Sequence, residues 1–212
     1  MRRILLLSTL LLPLAGCNCF AYCAYLFVPE ARAKTVEPEC DLLSGRRVAI
    51  VVFAQPGVTY AYPRAAVDLS NALAYDLQQN INDLKVVPAA TVLKFQRENL
   101  AWDTLPRREL ARKLGADYVM HLGLEEYSLA DSNSGMFRAR VTADANLYAA
   151  TSPSVAGDDS PVWTGRMRVI YPGENAQTIV AADDRAARGK AHSQFAKLLG
   201  RKFYKHTLGG DE

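Results

Sequence analysis

The sequence predicts an α/β fold with the element order βαβα(α)βββα, a sandwich built on a mixed sheet, and three patterns carry this prediction. The stretch 46–54 contains a continuous run of β-branched and other apolar residues, which suits a central strand covered on both faces. Apolar residues then recur every three or four positions between Ala66 and Ile81, which is typical of an amphipathic helix. From Ala116 onward the apolar period becomes two, which indicates an antiparallel meander.

The first half of the domain is predicted as a crossover unit that joins parallel strands. After the first strand, a loop at 55–62 leads to Pro63, which suits the first turn of a helix that ends near Asn80. We place a short strand at 85–88 and two helices at 91–99 and 105–114. Gly115 follows directly and can take the left-handed backbone that ends many helices.

The second half is predicted as three antiparallel strands and a terminal helix. We place the strands at 117–129, 137–149 and 162–171, the polar turn and the loop between them at 131–135 and 151–161, and the helix at 183–205. Alternate residues of the middle strand are apolar, so one side of it should face the core. These residues are Phe137, Ala139, Val141, Ala143, Ala145 and Leu147, with Arg138, Arg140, Thr142 and Asp144 on the other side.

The amino terminus carries the parts of an export signal, namely a basic start at 2–3, an apolar run at 4–12 and small residues before Cys17. Cys17 directly after Leu-Ala-Gly resembles the bacterial lipobox. That resemblance implies that the signal is removed and that the Cys17 thiol is joined to diacylglycerol. We therefore expect a signal peptide at 1–16, a lipidated tether at 17–44, a single body at 45–206 and a disordered tail at 207–212.

An alternative for this segment is that residues 4–28 stay uncut and span the bilayer, since a crossing needs roughly 20 apolar residues. Pro13 and Gly16 lie in its middle and fit the end of a signal better than the interior of a helix. We expect a membrane anchor facing the periplasm. By analogy with enterobacterial sorting, Asn18 after the lipobox cysteine favours the outer membrane over the inner membrane.

Charge and cysteine content exclude two classes of protein. The 25 basic and 22 acidic residues become 23 and 22 once Arg2 and Arg3 are removed, so we expect no nucleic-acid partner. Cys19, Cys23 and Cys40 lack the paired short spacings of a zinc site. A disulfide of Cys40 with Cys19 or Cys23 is favoured for an exported protein, and we expect no metal.

The histidines offer few candidates for catalysis. His121, Glu125 and Tyr127 are predicted on one face of a strand with Glu126 on the other, and a solvated strand face is favoured over a metal or acid–base site. His192 and His206 belong to a basic terminal segment and are expected to face solvent. Because no nucleophile, base and glycine motif occur together, we expect no enzyme and no cofactor.

The residues 46–171 resemble a broad group of envelope domains. The stretch 114–119 (Leu-Gly-Ala-Asp-Tyr-Val) is the clearest match to the amino-terminal domain of the Tol–Pal translocation protein, to lipoprotein activators of penicillin-binding proteins and to the curli-secretion lipoprotein. The chain also resembles an uncharacterised planctomycete-type lipoprotein family through Tyr62-Pro63 and Tyr171-Pro172. The resemblance implies a fold like the Tol–Pal and anticodon-binding domains, and binding of partner proteins rather than catalysis.

Two segments are the candidate partner-binding site. Tyr, Trp and Arg are enriched in interface hot spots, and ligands of open α/β sheets lie outside the carboxyl ends of strands. The candidates are Tyr60, Tyr62, Arg64, Gln96, Arg97 and Trp102. They bind either an envelope protein or another copy of the chain, or they only pin loops to the body. The alternative function is a small-ligand or hydrolase-like site in a cleft near Tyr62 and His121.

Overall fold

The computed structural model describes residues 34–130, 137–151, 159–173 and 184–208. It divides into two units. The smaller unit contains β1 (Lys34–Val36) paired antiparallel with β7 (His206–Leu208). These strands differ from the expectation of a featureless tether and of a disordered tail from residue 207. The signal peptide and Cys17 lie outside the described residues.

The larger unit, Glu37–Lys205, contains a mixed sheet of the order β3-β2-β4-β5-β6 across the described residues. Its strands are β2 (Arg47–Ala54), β3 (Lys85–Val86), β4 (Tyr118–Ala130), β5 (Phe137–Ala149) and β6 (Trp163–Tyr171). β2 pairs parallel with β3 and β4, and β4, β5 and β6 pair antiparallel. The predicted mixed α/β sheet is confirmed. β2 is central because Val48, Ile50 and Val52 are buried on one face and Ala49 and Val51 on the other.

The helices of the described residues are α1 (Pro56–Ala61), α2 (Ala65–Asn80), α3 (Ala89–Glu98), α4 (Arg107–Lys113) and α5 (Asp184–Gly200). α1 replaces the loop that was predicted after β2. Pro56 stands in its first turn, where a missing N–H costs nothing, and the Thr59 hydroxyl donates to the Gln55 carbonyl at 3.3 Å. Gly115 follows α4 with φ +62°, as predicted for a helix end.

The helices cover the two sheet faces unequally. α2 and α5 pack on one face over a large core that includes Leu69, Leu73, Phe195 and Leu199. α3 and α4 pack on the other face over a smaller core near β2 and β4, with Val92 and Leu110 inside it. The β5 and β6 end of that second face therefore carries polar residues with partial access to solvent, including Asp144, Asn146, Thr164 and Arg166.

The larger unit begins before residue 45, where the tether was expected to end. Leu43 is fully buried and Cys40 is nearly so, and both belong to the large core. The N–H groups of Glu39 and Cys40 donate to the Lys202 carbonyl at 2.8 and 3.1 Å. This short segment is thus part of the body because it supplies core side chains that the sequence pattern did not reveal.

Cys40 is a free, buried thiol rather than part of the expected disulfide among the described residues. Burial raises the pKa of the Cys40 thiol, which keeps it protonated and poorly reactive. Its possible partners in the sequence, Cys19 and Cys23, lie outside the described residues. Cys40 therefore acts as a small apolar core residue in this structure.

Candidate functional site

Four large apolar side chains from the end of β2, from α1 and from the segment after α3 are here called the aromatic edge: Phe53, Tyr60, Leu100 and Trp102. Phe53 is 37% exposed and its ring lies 6.1 Å from that of Trp102. Tyr60 on α1 is 90% exposed, and Leu100, two residues before Trp102, is 89% exposed. Since large apolar side chains in a group favour burial against a partner, the aromatic edge is the candidate site.

The aromatic edge is held on a rigid base. β2 is hydrogen-bonded in the middle of the sheet, and α1 begins only two residues after its end. Trp102 begins a 3-10 turn, Trp102–Thr104, and its ring is half-buried against the smaller core. The Arg107 guanidinium donates to the carbonyls of Leu105 and Asp103 at 3.1 and 2.9 Å, which fixes the chain after the turn. A preorganised surface loses little conformational entropy when it binds.

The structure separates Tyr62 from the other predicted partner-binding residues. Its ring packs edge-on against Tyr127 at 4.9 Å, and its hydroxyl accepts the Leu129 N–H at 3.4 Å. Arg64 is exposed and lies 3.8 Å from Asp68, one helical turn further on. Tyr62 therefore pins α1 and α2 to the sheet, while Tyr60 is the tyrosine that faces outward.

The two predicted residues on α3 point to different surroundings. Gln96 lines a small, shallow groove between α2 and α3. The groove is otherwise mostly apolar and includes Val52, Val67 and Leu93. Arg97 is exposed in the last turn of α3.

Phe53 and Leu100 were not predicted as site residues. An apolar sequence pattern does not show which of its side chains the neighbouring helices leave uncovered.

His121 lies under the edge of α4 on the sheet face of Val119 and the smaller core. Its Nε2 atom is buried and has no hydrogen-bond partner in the part of the chain that the structure describes. Burial, with a smaller contribution from the charge of Arg107, lowers the pKa of His121 to about 4. The ring is therefore neutral at pH 7 and keeps a lone pair or an N–H without a partner.

The prediction that His121 and Glu125 share a face of β4 is confirmed, but the prediction that Tyr127 shares it and that Glu126 lies opposite was wrong. The β4–β5 register shifts between Leu124 and Glu126, so β4 has one extra residue there. Such a bulge turns two consecutive side chains to the same side. Glu125 binds Arg166, and the Glu126 carboxylate accepts the Thr142 hydroxyl at 3.3 Å. Both carboxylates lie on the polar sheet face, and Tyr127 points into the large core.

The shift also removes the cleft that was expected near Tyr62 and His121. Tyr62 packs on the large core with Tyr127, whereas His121 belongs to the opposite face of the sheet. The nearby carboxylates are engaged by Arg166, whose guanidinium lies 3.9 Å from Asp144 and also contacts Glu125. In the described ranges, no cluster of His, Cys, Asp or Glu side chains is placed to hold a metal ion.

His192 is buried in the large core, contrary to the expectation that it faces solvent. Its Nε2 atom is 2.7 Å from the Tyr127 hydroxyl. Burial lowers the pKa of His192 and raises the pKa of Tyr127 to about 12, so both groups are neutral near pH 7. The pair joins α5 to β4 as a structural hydrogen bond.

His206, the other histidine that was predicted to face solvent, lies half-exposed on β7.

A distant loop completes the packing of α4. The Asp159 carboxylate accepts the N–H groups of Arg107 and Arg108 at 2.7 and 3.1 Å. It therefore satisfies two of the free donors at the start of α4, as a helix cap does. Sequence spacing gave no signal for this contact, because the two segments are about fifty residues apart.

Comparisons with known proteins find a weak structural likeness to several bacterial proteins, some of them lipoproteins. No protein-family model and no curated protein sequence matches the chain. A PelC dodecamer from Paraburkholderia phytofirmans is similar over 82% of this chain and 98% of its own, with 15% identity and a TM-score of 0.48. Lipoprotein GNA1162 from Neisseria meningitidis is similar over 72% and 96%, with 16% identity and a TM-score of 0.46.

A third structure is protein XCC0632 from Xanthomonas campestris, of the family DUF330. It is similar over 79% of this chain and 83% of its own, with 11% identity and a TM-score of 0.35. Similarities of this size carry no function over to the chain. Separately, none of the helices in the described segments combines the length and the apolar character that a bilayer crossing requires.

Proposed function

We propose that this protein is a lipid-anchored envelope lipoprotein whose α/β body binds another envelope protein through the aromatic edge, without catalysis. The observation that carries the proposal is the exposure of Tyr60 and Leu100, at 90% and 89%, together with the Phe53–Trp102 pair, of which Phe53 is 37% exposed. The lipobox-like sequence that ends in Cys17 supports the anchor. We also propose that the body has the predicted sandwich arrangement and that its fold resembles the amino-terminal domain of the Tol–Pal translocation protein.

The chemistry of the aromatic edge suits a protein partner. Tyrosine and tryptophan bury a large area with few rotatable bonds, so their ordering on binding costs little. Burial contributes about 25 cal/mol for each Å² of apolar surface removed from water, and a few such side chains dominate many interfaces. Arg64 and Arg97, both exposed near this region of the chain, provide polar contacts at the rim.

The absence of catalysis is supported by how the titratable groups are used. The buried Nε2 atom of His121 has no hydrogen-bond partner among the described residues, and His192 is bonded to Tyr127 inside the core. Glu125 and Asp144 are engaged by Arg166. These engagements leave the histidines and carboxylates named here in structural contacts, which supports a binding function over acyl transfer or general acid–base chemistry. The proposal includes no cofactor and no metal.

The binding proposal is tested by affinity capture of the full-length protein from detergent-solubilised envelopes of its own bacterium. We expect Tyr60→Ala and Leu100→Ala to reduce recovery of the same partner by about tenfold or more, the size of a hot-spot loss. Tyr75→Ala on α2, which removes another tyrosine that is 69% exposed, is the matched control and should leave recovery unchanged. Equal recovery with all three variants would contradict the aromatic edge as the binding site.

The anchor is tested separately by mass spectrometry of the mature amino terminus. We expect an acylated Cys17 as the first residue, and loss of both cleavage and acylation in Cys17→Ser. Membrane fractionation then addresses the outer membrane, which the absence of an aspartate after Cys17 favours by analogy. A mature chain that keeps Met1 and an unmodified thiol contradicts the anchor.

A further inference from the structure

The exposed side of α5 from Arg188 onward, and of the turn after it, carries basic and no acidic side chains. Between residues 188 and 205 the sequence contains no Asp or Glu. Its basic residues are Arg188, Lys190, Lys197, Arg201, Lys202 and Lys205. Lys190 and Lys197 are exposed, while Ala191, Phe195 and Leu199 of the same helix point into the body. The apolar stripe therefore fixes which side of α5 faces outward.

The neighbouring helix α2 exposes no acidic side chain on this surface, although its buried Asp76 lies close enough to Lys197 and Arg201 to interact with their charges. It packs against α5 and carries two acidic residues. Asp76 is buried and accepts the Tyr204 hydroxyl at 3.0 Å, and Asp68 is half-buried beside Arg64. The exposed positions of α2 are uncharged, and Tyr75 among them is 69% exposed.

These residues define one surface, here called the basic helix face: Lys190, Lys197, Leu198 and Arg201 of α5 and its following turn, with Tyr75 of α2. Leu198 is 38% exposed, so the surface joins positive charge with two partly exposed apolar groups. Lys and Arg attract anionic headgroups, while tyrosine and leucine suit the boundary between headgroups and acyl chains. The combination fits a lipid surface.

The chain also enters the body at the carboxyl end of α5. Glu37, the first residue of the larger unit, lies 2.5 Å from the Lys205 ammonium, and Glu39 lies 2.7 Å from that of Lys202. The residues between Cys17 and Glu37 reach at most about 70 Å when fully extended. A body on such a tether stays close to the bilayer, where a charged face acts within the screening length of about 8 Å.

We propose that the basic helix face lies on the anionic phospholipid headgroups of the bilayer that carries the Cys17 lipid, an inference that rests on the proposed anchor. Phe53 and Trp102 belong to the opposite side of the sheet, near the smaller core. A body that rests on α2 and α5 therefore turns the Phe53–Trp102 pair away from the membrane. The lipid holds the protein at the surface, and the charges set its orientation.

The test is hydroxyl-radical footprinting of the full-length protein reconstituted in vesicles. Tyr75 and Leu198 report on the basic helix face, and Tyr60 and Leu100 are matched internal controls of the same residue types. In vesicles that contain about one third phosphatidylglycerol, we expect oxidation of Tyr75 and Leu198 to fall about threefold or more relative to pure phosphatidylcholine. Oxidation of Tyr60 and Leu100 should not change, and about 0.5 M NaCl should remove the protection.

Two pairs of charge-reversal substitutions test whether the basic helix face is the surface that contacts the headgroups. Lys190→Glu with Lys197→Glu should abolish the protection of Tyr75, whereas Lys94→Glu with Lys113→Glu, on α3 and α4, should retain it. Equal oxidation of Tyr75 in both vesicle types overturns the proposal, as does protection in detergent without vesicles, which indicates self-association or a protein ligand. The intact mass of the same sample reports acylation of Cys17, so failure of the anchor is seen separately from failure of the surface.

Discussion

At the scale of single residues, His121 and His192 illustrate two uses of a buried imidazole. His192 is bonded to the Tyr127 hydroxyl at 2.7 Å, so its burial is compensated. His121 keeps a buried Nε2 atom without a partner in the described residues. An unsatisfied polar group of this kind costs roughly 1–3 kcal/mol, and that cost rises further if the ring becomes charged.

The pKa of His121 predicts how stability depends on pH. In the unfolded chain the ring has a pKa of 6.5, and in the folded protein the pKa is about 4. Between these values the unfolded state binds a proton that the folded state does not, so the free energy of unfolding falls as pH drops from about 6.5 to 4. The contribution of His121 reaches at most about 3 kcal/mol, and it has no effect above pH 7.

Urea unfolding of His121→Gln against the wild type, from pH 8 to pH 4, measures this contribution. The variant should lose less stability than the wild type below pH 6.5. At pH 8 the difference between the free energies of unfolding of the two proteins reports the change in packing alone, because the imidazole is neutral there in both the folded and the unfolded state. The same pH slope in both proteins would show that His121 does not titrate as described. Burial also lowers the pKa of His192. Its effect on the pH dependence of stability therefore has the same sign and is present in both proteins.

At the scale of elements, the packing of α5 on α2 depends on a glycine. A Cβ atom added to Gly200 would lie 2.0 Å from the Asp76 carboxylate, which also accepts the Tyr204 hydroxyl. The carboxylate has little room to move, since Asp76 is buried and the hydrogen bond from Tyr204 holds it in place. The last turn of α5 is therefore a point where two helices and the chain after them meet closely.

Gly200→Ala should destabilise the protein by about 1–3 kcal/mol, as overpacking does in other cores. Gly189→Ala is the control, because nothing lies within 4 Å of its added Cβ atom and alanine favours the helix by up to about 1 kcal/mol. Thermal or urea unfolding measures both variants. The interpretation fails if Gly200→Ala is as stable as Gly189→Ala.

At the scale of the whole molecule, the segment before β2 closes the large core. Leu43 is fully buried, while its neighbour Leu42 is 43% exposed. The Glu39 carboxylate accepts the Trp163 indole N–H at 3.2 Å and contacts Lys202, so the segment joins β6 to the turn after α5. The tether and the body are therefore not independent parts of the chain.

Leu43→Ala should cost about 2–5 kcal/mol, the range for large-to-small changes in a core, and Leu42→Ala should cost little. Unfolding of the full-length chain in detergent measures the two variants. Equal losses of stability in the two variants would show that residues 40–44 belong to the tether and do not contribute to the core.

The sequence alone determined the features that depend on local period. The alternation along β5 placed Ala139, Val141, Ala143, Ala145 and Leu147 inside, and all five are fully buried. The continuous run in β2 indicated a strand with both faces covered, and Gly115 marked the end of α4. These predictions succeeded because burial of one face imposes a spacing that can be read from the residues themselves.

Tertiary structure decided the features that depend on contacts between distant segments. The extra residue in β4 put Glu126 on the same face as Glu125 and turned Tyr127 into the core, and a bulge is set by the pairing of two strands. The cap by Asp159, the burial of His192 and the exposure of Phe53 likewise depend on what another segment covers. A linear pattern specifies which side chains need a core, but not which of them the neighbouring elements leave uncovered.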